Sequence, residues 1–166
     1  MLVSFSVSNF RSFGDEETLS MVASNKLKEH PEHLIPIGKT GKSVVRTGVL
    51  YGANAAGKSN LVRAMSFAQR MIGRERSNKV SNVETFRFCE STVPRPSTFE
   101  FQFLIDESVY VYGFDVSAKD IQEEWLTVVR DGNEQVIFVR KGKHKPTIGD
   151  KRAAGSDTHE ILHKVT

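Results

Sequence analysis

A chain of 166 residues is long enough for one domain with its own core, or for a domain carrying a small subdomain. Its 39% hydrophobic and 26% charged residues are those of a soluble globular protein and exclude a disordered tail, while a formal charge of +3 is too small to argue for nucleic acid by itself. The single Cys89 excludes a disulfide framework and a cysteine-based zinc site. With no run near the roughly 18 apolar residues of a membrane helix and no signal-peptide core, a reducing, cytoplasmic location is expected.

In chain order, Val3, Phe5 and Val7 alternate with Ser4, Ser6 and Ser8, the period of a strand with one buried face. Gly14-Asp15-Glu16 predicts a turn, and Glu17 to Ala23 a second strand pairing back. Residues 25–43 are broken by Pro31, Pro36, Gly38 and Gly41 and read as irregular. Val44 to Tyr51 reads as a buried strand. From Gly57 the period changes: Leu61, Ala64, Met65, Ala68, Met71 and Ile72 mark one face of an amphipathic helix, with Gly73 as its stop. Residues 74–82 read as a surface connection. Thr98–Ile105 and Val109–Val116 then flank Asp106-Glu107-Ser108, and Leu126–Arg130 and Gln135–Arg140 flank residues 131–134, which predicts an antiparallel meander. The tail from Lys141 is basic and turn-rich.

The chemistry lies between the predicted strand and helix. Gly52-Ala53-Asn54-Ala55-Ala56-Gly57-Lys58-Ser59 satisfies G-x-x-x-x-G-K-[ST] in full. The glycines let successive backbone N–H groups turn inward on a polyphosphate, and the helix that follows adds its unpaired amides and dipole. Lys58, the expected catalytic residue, would reach the β- and γ-phosphates of ATP, and the Ser59 hydroxyl would hold Mg²⁺. Gly38-Lys39-Thr40 and Gly41-Lys42-Ser43 repeat the G-K-[ST] ending but lack the first glycine, having His33 and Pro36 in its place, so both read as loop residues.

The pairing of Asn9-Phe10-Arg11-Ser12-Phe13 with Gly52 to Leu61, in the form G-x-N-x-x-G-K-S-N-L, resembles the ABC-type ATPases of the RecF, SMC and OLD group. Tyr110 to Phe114, Ile121 to Leu126 and Val136 to Arg140 resemble a bacterial branch of AAA-type, ABC-like ATPases, several of which act in phage defence or abortive infection beside a partner nuclease. The resemblance implies an α/β P-loop NTPase lobe over residues 1–73, a connection at 74–97, an antiparallel β subdomain at 98–140 and a tail at 141–166. It implies heads closing as a homodimer or higher oligomer around Mg-ATP to control a DNA-directed effector. By motif position it assigns Gly52, Ala53, Asn54, Ala55, Ala56, Gly57, Lys58, Ser59 and Asn60 to the phosphates or Mg²⁺, and Arg11 to their neighbourhood.

Such ATPases also need a signature loop and an apolar strand ending in Asp-Glu, whose Glu activates water. Phe103-Leu104-Ile105-Asp106-Glu107 has that look, but Phe99, Phe101, Phe103 and Ile105 alternate with Glu100, Gln102, Leu104 and Asp106, as in a one-sided antiparallel strand ending in a hairpin turn. The chain therefore reads as the N-terminal portion of a longer ATPase, slow or inactive alone. Two other readings stay open. One is a non-catalytic scaffold that binds nucleotide or nucleic-acid phosphates, helped by the basic stretch 140–152. The other is a zinc hydrolase built on His159-Glu160-Ile161-Leu162-His163, with His30, His33 or His144 as third ligand. The aromatics Phe10, Phe13, Phe99, Phe101, Phe103, Tyr110 and Tyr112 read as core packing.

Overall fold

A computed structural model describes residues 1–24, 26, 29–73, 83–88, 95–118 and 120–149. Its elements in chain order are β1 (Leu2–Ser8), β2 (Glu17–Ser20), a 3₁₀ turn (Pro31–His33), β3 (Leu34–Pro36), β4 (Ser43–Val45), α1 (Lys58–Ile72), β5 (Ser97–Ile105), β6 (Ser108–Val116), β7 (Ile121–Arg130), β8 (Asn133–Lys141) and β9 (Thr147–Ile148). The architecture is mixed α/β, with one helix and a seven-stranded sheet in the order β2-β1-β5-β6-β7-β8-β9, antiparallel at every pairing. The β1–β5 pairing joins the strands of segments 1–73 and 98–140 in that one sheet.

Each face of the sheet has its own cover. On one face α1 buries Ala64, Phe67 and Ala68 against Phe5, Val7, Phe10, Phe99, Phe101 and Phe114. Phe67 makes ring contacts with Phe10 at 5.4 Å and Phe99 at 5.2 Å between centroids, and Phe99 stacks on Phe114 at 5.3 Å. Each such pair contributes about 0.5–1.5 kcal/mol beyond its buried area. On the other face the β3–β4 hairpin lays Ile37 and Val44 over Val3, Leu104, Val109 and Val111.

The helix ends on Gly73 as expected, although in the right-handed conformation (φ −79°) with its N–H bonded to Gln69 O. Phe67, three residues after Ala64, joins the core outside the expected stripe, while Ile72 lies half in solvent. The strand pattern needs one correction too. The β1–β5 register shifts between Leu2 and Ser4, so a bulge turns Val3 to the hairpin face while Phe5 and Val7 face the helix.

The largest correction concerns Val44–Tyr51. Only Ser43–Val45 is strand, paired with β3, and Val49 and Tyr51 are 84% and 89% exposed. Among the described residues no strand pairs with 46–51, and an apolar run without a ladder partner has nothing to hold it extended. Residues 25–43, expected to be irregular, hold β3, and the two G-K-[ST] echoes form the β3–β4 turn, where Ile37 N–H bonds Lys42 O at 2.9 Å.

The two-residue loops are tighter than the sequence suggests. Ile105 pairs with Ser108, leaving Asp106 (φ 53°) and Glu107 as the turn. Arg130 pairs with Asn133 across Asp131-Gly132, both at positive φ, the backbone that matches hairpin twist. Residues 74–82, Cys89 and the His159–His163 motif lie outside the described residues.

Three of the segments that resemble the AAA-type branch meet on neighbouring strands. Trp125 lies over Gly113, where an added Cβ would stand 2.3 Å from its ring, and donates from Nε1 to Glu100 Oε2 at 3.2 Å. On the opposite face Tyr112 donates its hydroxyl to Glu124 Oε1 at 2.6 Å, and Arg140 Nε donates to Glu124 Oε2 at 2.8 Å. Burial first, and then the Glu124 bond, push the Tyr112 phenol well above its ordinary range, so it stays a donor.

Candidate functional site

The N-F-R-S-F segment folds as the tip of the β1–β2 hairpin. Phe10 and Phe13 exchange backbone hydrogen bonds at 2.9 Å in both directions, so the chain reverses at Arg11-Ser12 and not at Gly14–Glu16 as expected. Asn9 is the joint behind the tip. Its side chain donates to Arg95 O at 2.8 Å and accepts from Phe86 N–H at 3.2 Å, which fastens segments from far along the chain. Phe10 is buried among the rings under α1.

At this end of the sheet, residues 52–56 run as an exposed loop that leads through half-buried Gly57 into α1. Gly57 is the N-cap at φ 90°, a conformation open to glycine and costly for other residues, and this lets the chain swing from loop to helix in one step. Its carbonyl accepts from Asn60 N–H at 2.9 Å and Leu61 N–H at 3.1 Å, the first bonds of the helix. The amides of Lys58 and Ser59 therefore have no intrahelical acceptor and stand at the positive end of the helix dipole.

Lys58 curls over the loop, its Nζ donating to Gly52 O at 2.7 Å and Ala53 O at 2.6 Å. The donor set suits a polyphosphate with a hard cation: an ammonium, helix-start amides and the exposed Ser59 hydroxyl. The ammonium is already held at the loop by weak carbonyl acceptors that anionic oxygens would outcompete. Asn54, Ala55 and Ala56 are exposed on the same turn, Ala55 at φ 65°.

Beside the loop opens a cavity of about 220 Å³. Phe13, Leu19, Leu50 and Tyr51 supply its apolar walls, Glu17 and Thr18 its polar edge, and Lys58 borders it on the loop side. Leu50 and Tyr51, unpaired as strand residues, thus serve as cavity wall.

Two residues of the hairpin tip behave differently from one another. Arg11 is engaged by Glu84, through Nη2 to Oε1 at 2.6 Å and through its backbone N–H to Glu84 O at 2.7 Å, with its guanidinium 5.9 Å from the Phe10 ring centre. Ser12, which sequence reasoning passed over, makes the contact to the loop: Asn60 Nδ2 donates to Ser12 Oγ at 2.9 Å. The signal was its place next to Arg11 in the same motif, but only the tight turn shows which of the two side chains faces the loop.

The Asp106-Glu107 turn stands at the far end of the sheet. β1 pairs Ser8 with Thr98 near the hairpin tip and Leu2 with Phe103 near that turn, a separation of about 20 Å at the usual strand rise. Glu107 is therefore a hairpin residue, remote from Lys58 of the same chain. Among the described residues no helix is long and apolar enough to cross a membrane.

Residues 49–157 match the family described as AAA domain, putative AbiEii toxin, Type IV TA system, about two thirds of the chain and including the whole of Gly52 to Asn60. No curated protein matches the chain. Domains of this family are nucleotide-binding and generally hydrolyse ATP. The loop, the helix that starts from it and the extent of the match together show that the chain belongs to this AAA-domain family.

Proposed function

We propose that the chain binds Mg-ATP at residues 52–60 and forms part of the head of an ABC-type ATPase of the RecF, SMC and OLD kind. The observation that carries the reading is the docking of the N-F-R-S-F tip on Asn60, one helical turn into a complete G-x-x-x-x-G-K-S loop. Lys58 would exchange the Gly52 and Ala53 carbonyls for phosphate oxygens, with the loop amides around Asn54 to Gly57 and those of Lys58 and Ser59 facing the same anion. Ser59 would ligate Mg²⁺, whose charge would hold the β- and γ-oxygens together. The base and ribose would take the neighbouring cavity, its Phe13, Leu50 and Tyr51 walls against the base and Glu17 at its polar edge.

Hydrolysis needs a carboxylate near the attacking water, and Glu107 is on the wrong end of the sheet for that role. The activating groups would come from outside the described residues or from a second head closing across the open loop, so these 166 residues should turn over slowly. Dimerisation around the nucleotide, control of a DNA-directed effector or partner nuclease, and a role in phage defence or DNA repair rest on the resemblance and on the toxin named in the family's description.

The test is binding. Fluorescent ATP should bind the wild type with Mg²⁺, and Lys58→Ala should weaken it about a hundredfold, the loss of two charge-assisted hydrogen bonds at about 1.5 kcal/mol each. Ser59→Ala should remove most of the Mg²⁺ dependence. Equal affinity of wild type and Lys58→Ala would overturn the assignment.

A further inference from the structure

Residues 31–33, Pro-Glu-His, form the 3₁₀ turn that leads into β3, and His30 precedes it as the N-cap in the left-handed conformation (φ 58°). Pro31 presets the backbone at the first position, where a missing N–H costs nothing. His30 and His33, on either side of Pro31-Glu32, bring their rings edge to face at 5.8 Å between centroids. The Glu32 carboxylate lies between them: Oε1 is 3.1 Å from His30 Nδ1 and 3.6 Å from His33 Nε2, and the three donor atoms lie within 4.8 Å of one another.

Those spacings have a chemical meaning. Zinc-class ions take imidazole nitrogen and carboxylate oxygen at about 2.0–2.2 Å in a tetrahedron, which sets neighbouring ligand atoms about 3.3–3.6 Å apart. The two Glu32 distances bracket that edge, and rotation of two exposed side chains closes the third. The turn beneath is already fixed. His33 N–H bonds His30 O at 3.0 Å, and Arg46, just past β4, bonds His33 O through its N–H at 3.1 Å and Glu32 O through Nε at 3.2 Å. The ligand side chains are each more than 60% exposed, so an ion reaches them from solvent without opening the core.

We propose that His30, Glu32 and His33 bind a zinc-class divalent cation, with the fourth position left to water, and that the ion fastens the turn at the head of the β3–β4 hairpin. Two imidazoles and one carboxylate favour a borderline transition metal over Mg²⁺ or Ca²⁺, which prefer all-oxygen sites. The site is separate from the 52–60 loop and stands or falls independently of the nucleotide reading.

The experiment uses the full 166-residue chain, stripped with a chelator and titrated with Zn²⁺ by calorimetry without nucleotide, with Co²⁺ as a spectroscopic probe of tetrahedral ligation. One equivalent should bind, and should raise the melting temperature. His30→Ala and His33→Ala should each weaken binding at least tenfold, since even residues behind a ligand cost about 10–100-fold. Both variants should keep the metal-free melting temperature, because their side chains are exposed. The double variant His159→Ala/His163→Ala should bind like wild type. No uptake at zinc up to about 1 mM, uptake indifferent to His30→Ala and His33→Ala, or uptake lost in the His159/His163 double variant would each overturn the proposal.

Discussion

Around Phe99 the chain is closed to water: Phe5, Val7, Phe10, Phe67, Ala68 and Phe114 pack from two strands, a hairpin tip and a helix. Around Lys58, a few residues along the same helix, nearly everything is open, and the loop is held by its own lysine and by the Ser12–Asn60 hydrogen bond. The first region makes the fold and touches no ligand. The second has little packing to lose and carries the donors that suit a phosphate. The difference teaches that α1 is the hinge between the two tasks, its middle anchored in aromatic rings and its first turn presented to solvent. Substitutions in one region should therefore leave the other's observable nearly untouched.

The largest effect that would break this division comes from the core. Phe99→Ala removes a fully buried ring with contacts to Phe10, Phe67 and Phe114, and should cost about 3–5 kcal/mol in denaturant unfolding. ATP affinity measured well below the melting point should stay within a few-fold. Next comes Gly113→Ala, whose new methyl would press on Trp125 from 2.3 Å and force the indole off Glu100. Chemical denaturation should show a loss of about 1–3 kcal/mol, again with nucleotide binding kept.

A smaller effect belongs to the other side. Ser12→Ala deletes the acceptor of Asn60, worth about 0.5–1.5 kcal/mol if it appears in nucleotide affinity, and should hardly move the melting curve. The reverse outcome, a fall in stability with affinity intact, would place Ser12 with the core.

The smallest effect sharpens the core side. Burial raises the Asp115 pKa, the Thr98 hydrogen bond opposes the rise, and nearby Glu123 adds to it. A carboxyl whose folded value lies above its unfolded value binds its proton more tightly when folded. Its unfavourable contribution is thus present at neutral pH and is relieved as pH falls through the folded pKa. Asp115→Asn should flatten the stability profile on the mildly acidic side and leave Lys58-dependent binding alone.

How much of this was legible in the sequence follows the same division. The helix and the β5–β6 and β7–β8 hairpins come from period and turn chemistry, whereas β1 and β2 come from period alone, their reversal lying at Arg11-Ser12 and not at the Gly14–Glu16 turn signal. The bulge at Val3 cannot be read from alternation, because a bulge is what makes alternation misleading. β3 and β4 are three residues each and are held in place by Ile37 and Val44 reaching the far face of the sheet, a tertiary cause with no local signature. Val49 to Tyr51 has the composition of a buried strand and lacks the neighbour that would make it one. At the site, the loop residues follow from the motif itself. That Ser12 meets Asn60 while Arg11 pairs with Glu84 depends on a two-residue turn that only the folded chain displays.

The most direct measurement is amide hydrogen exchange across the chain with and without Mg-ATP. The account predicts slower exchange at the amides of residues 53–60 on nucleotide addition, with β5 to β8 unchanged. Unaltered exchange through that stretch at saturating nucleotide, or protection gathered on the sheet instead, would contradict it.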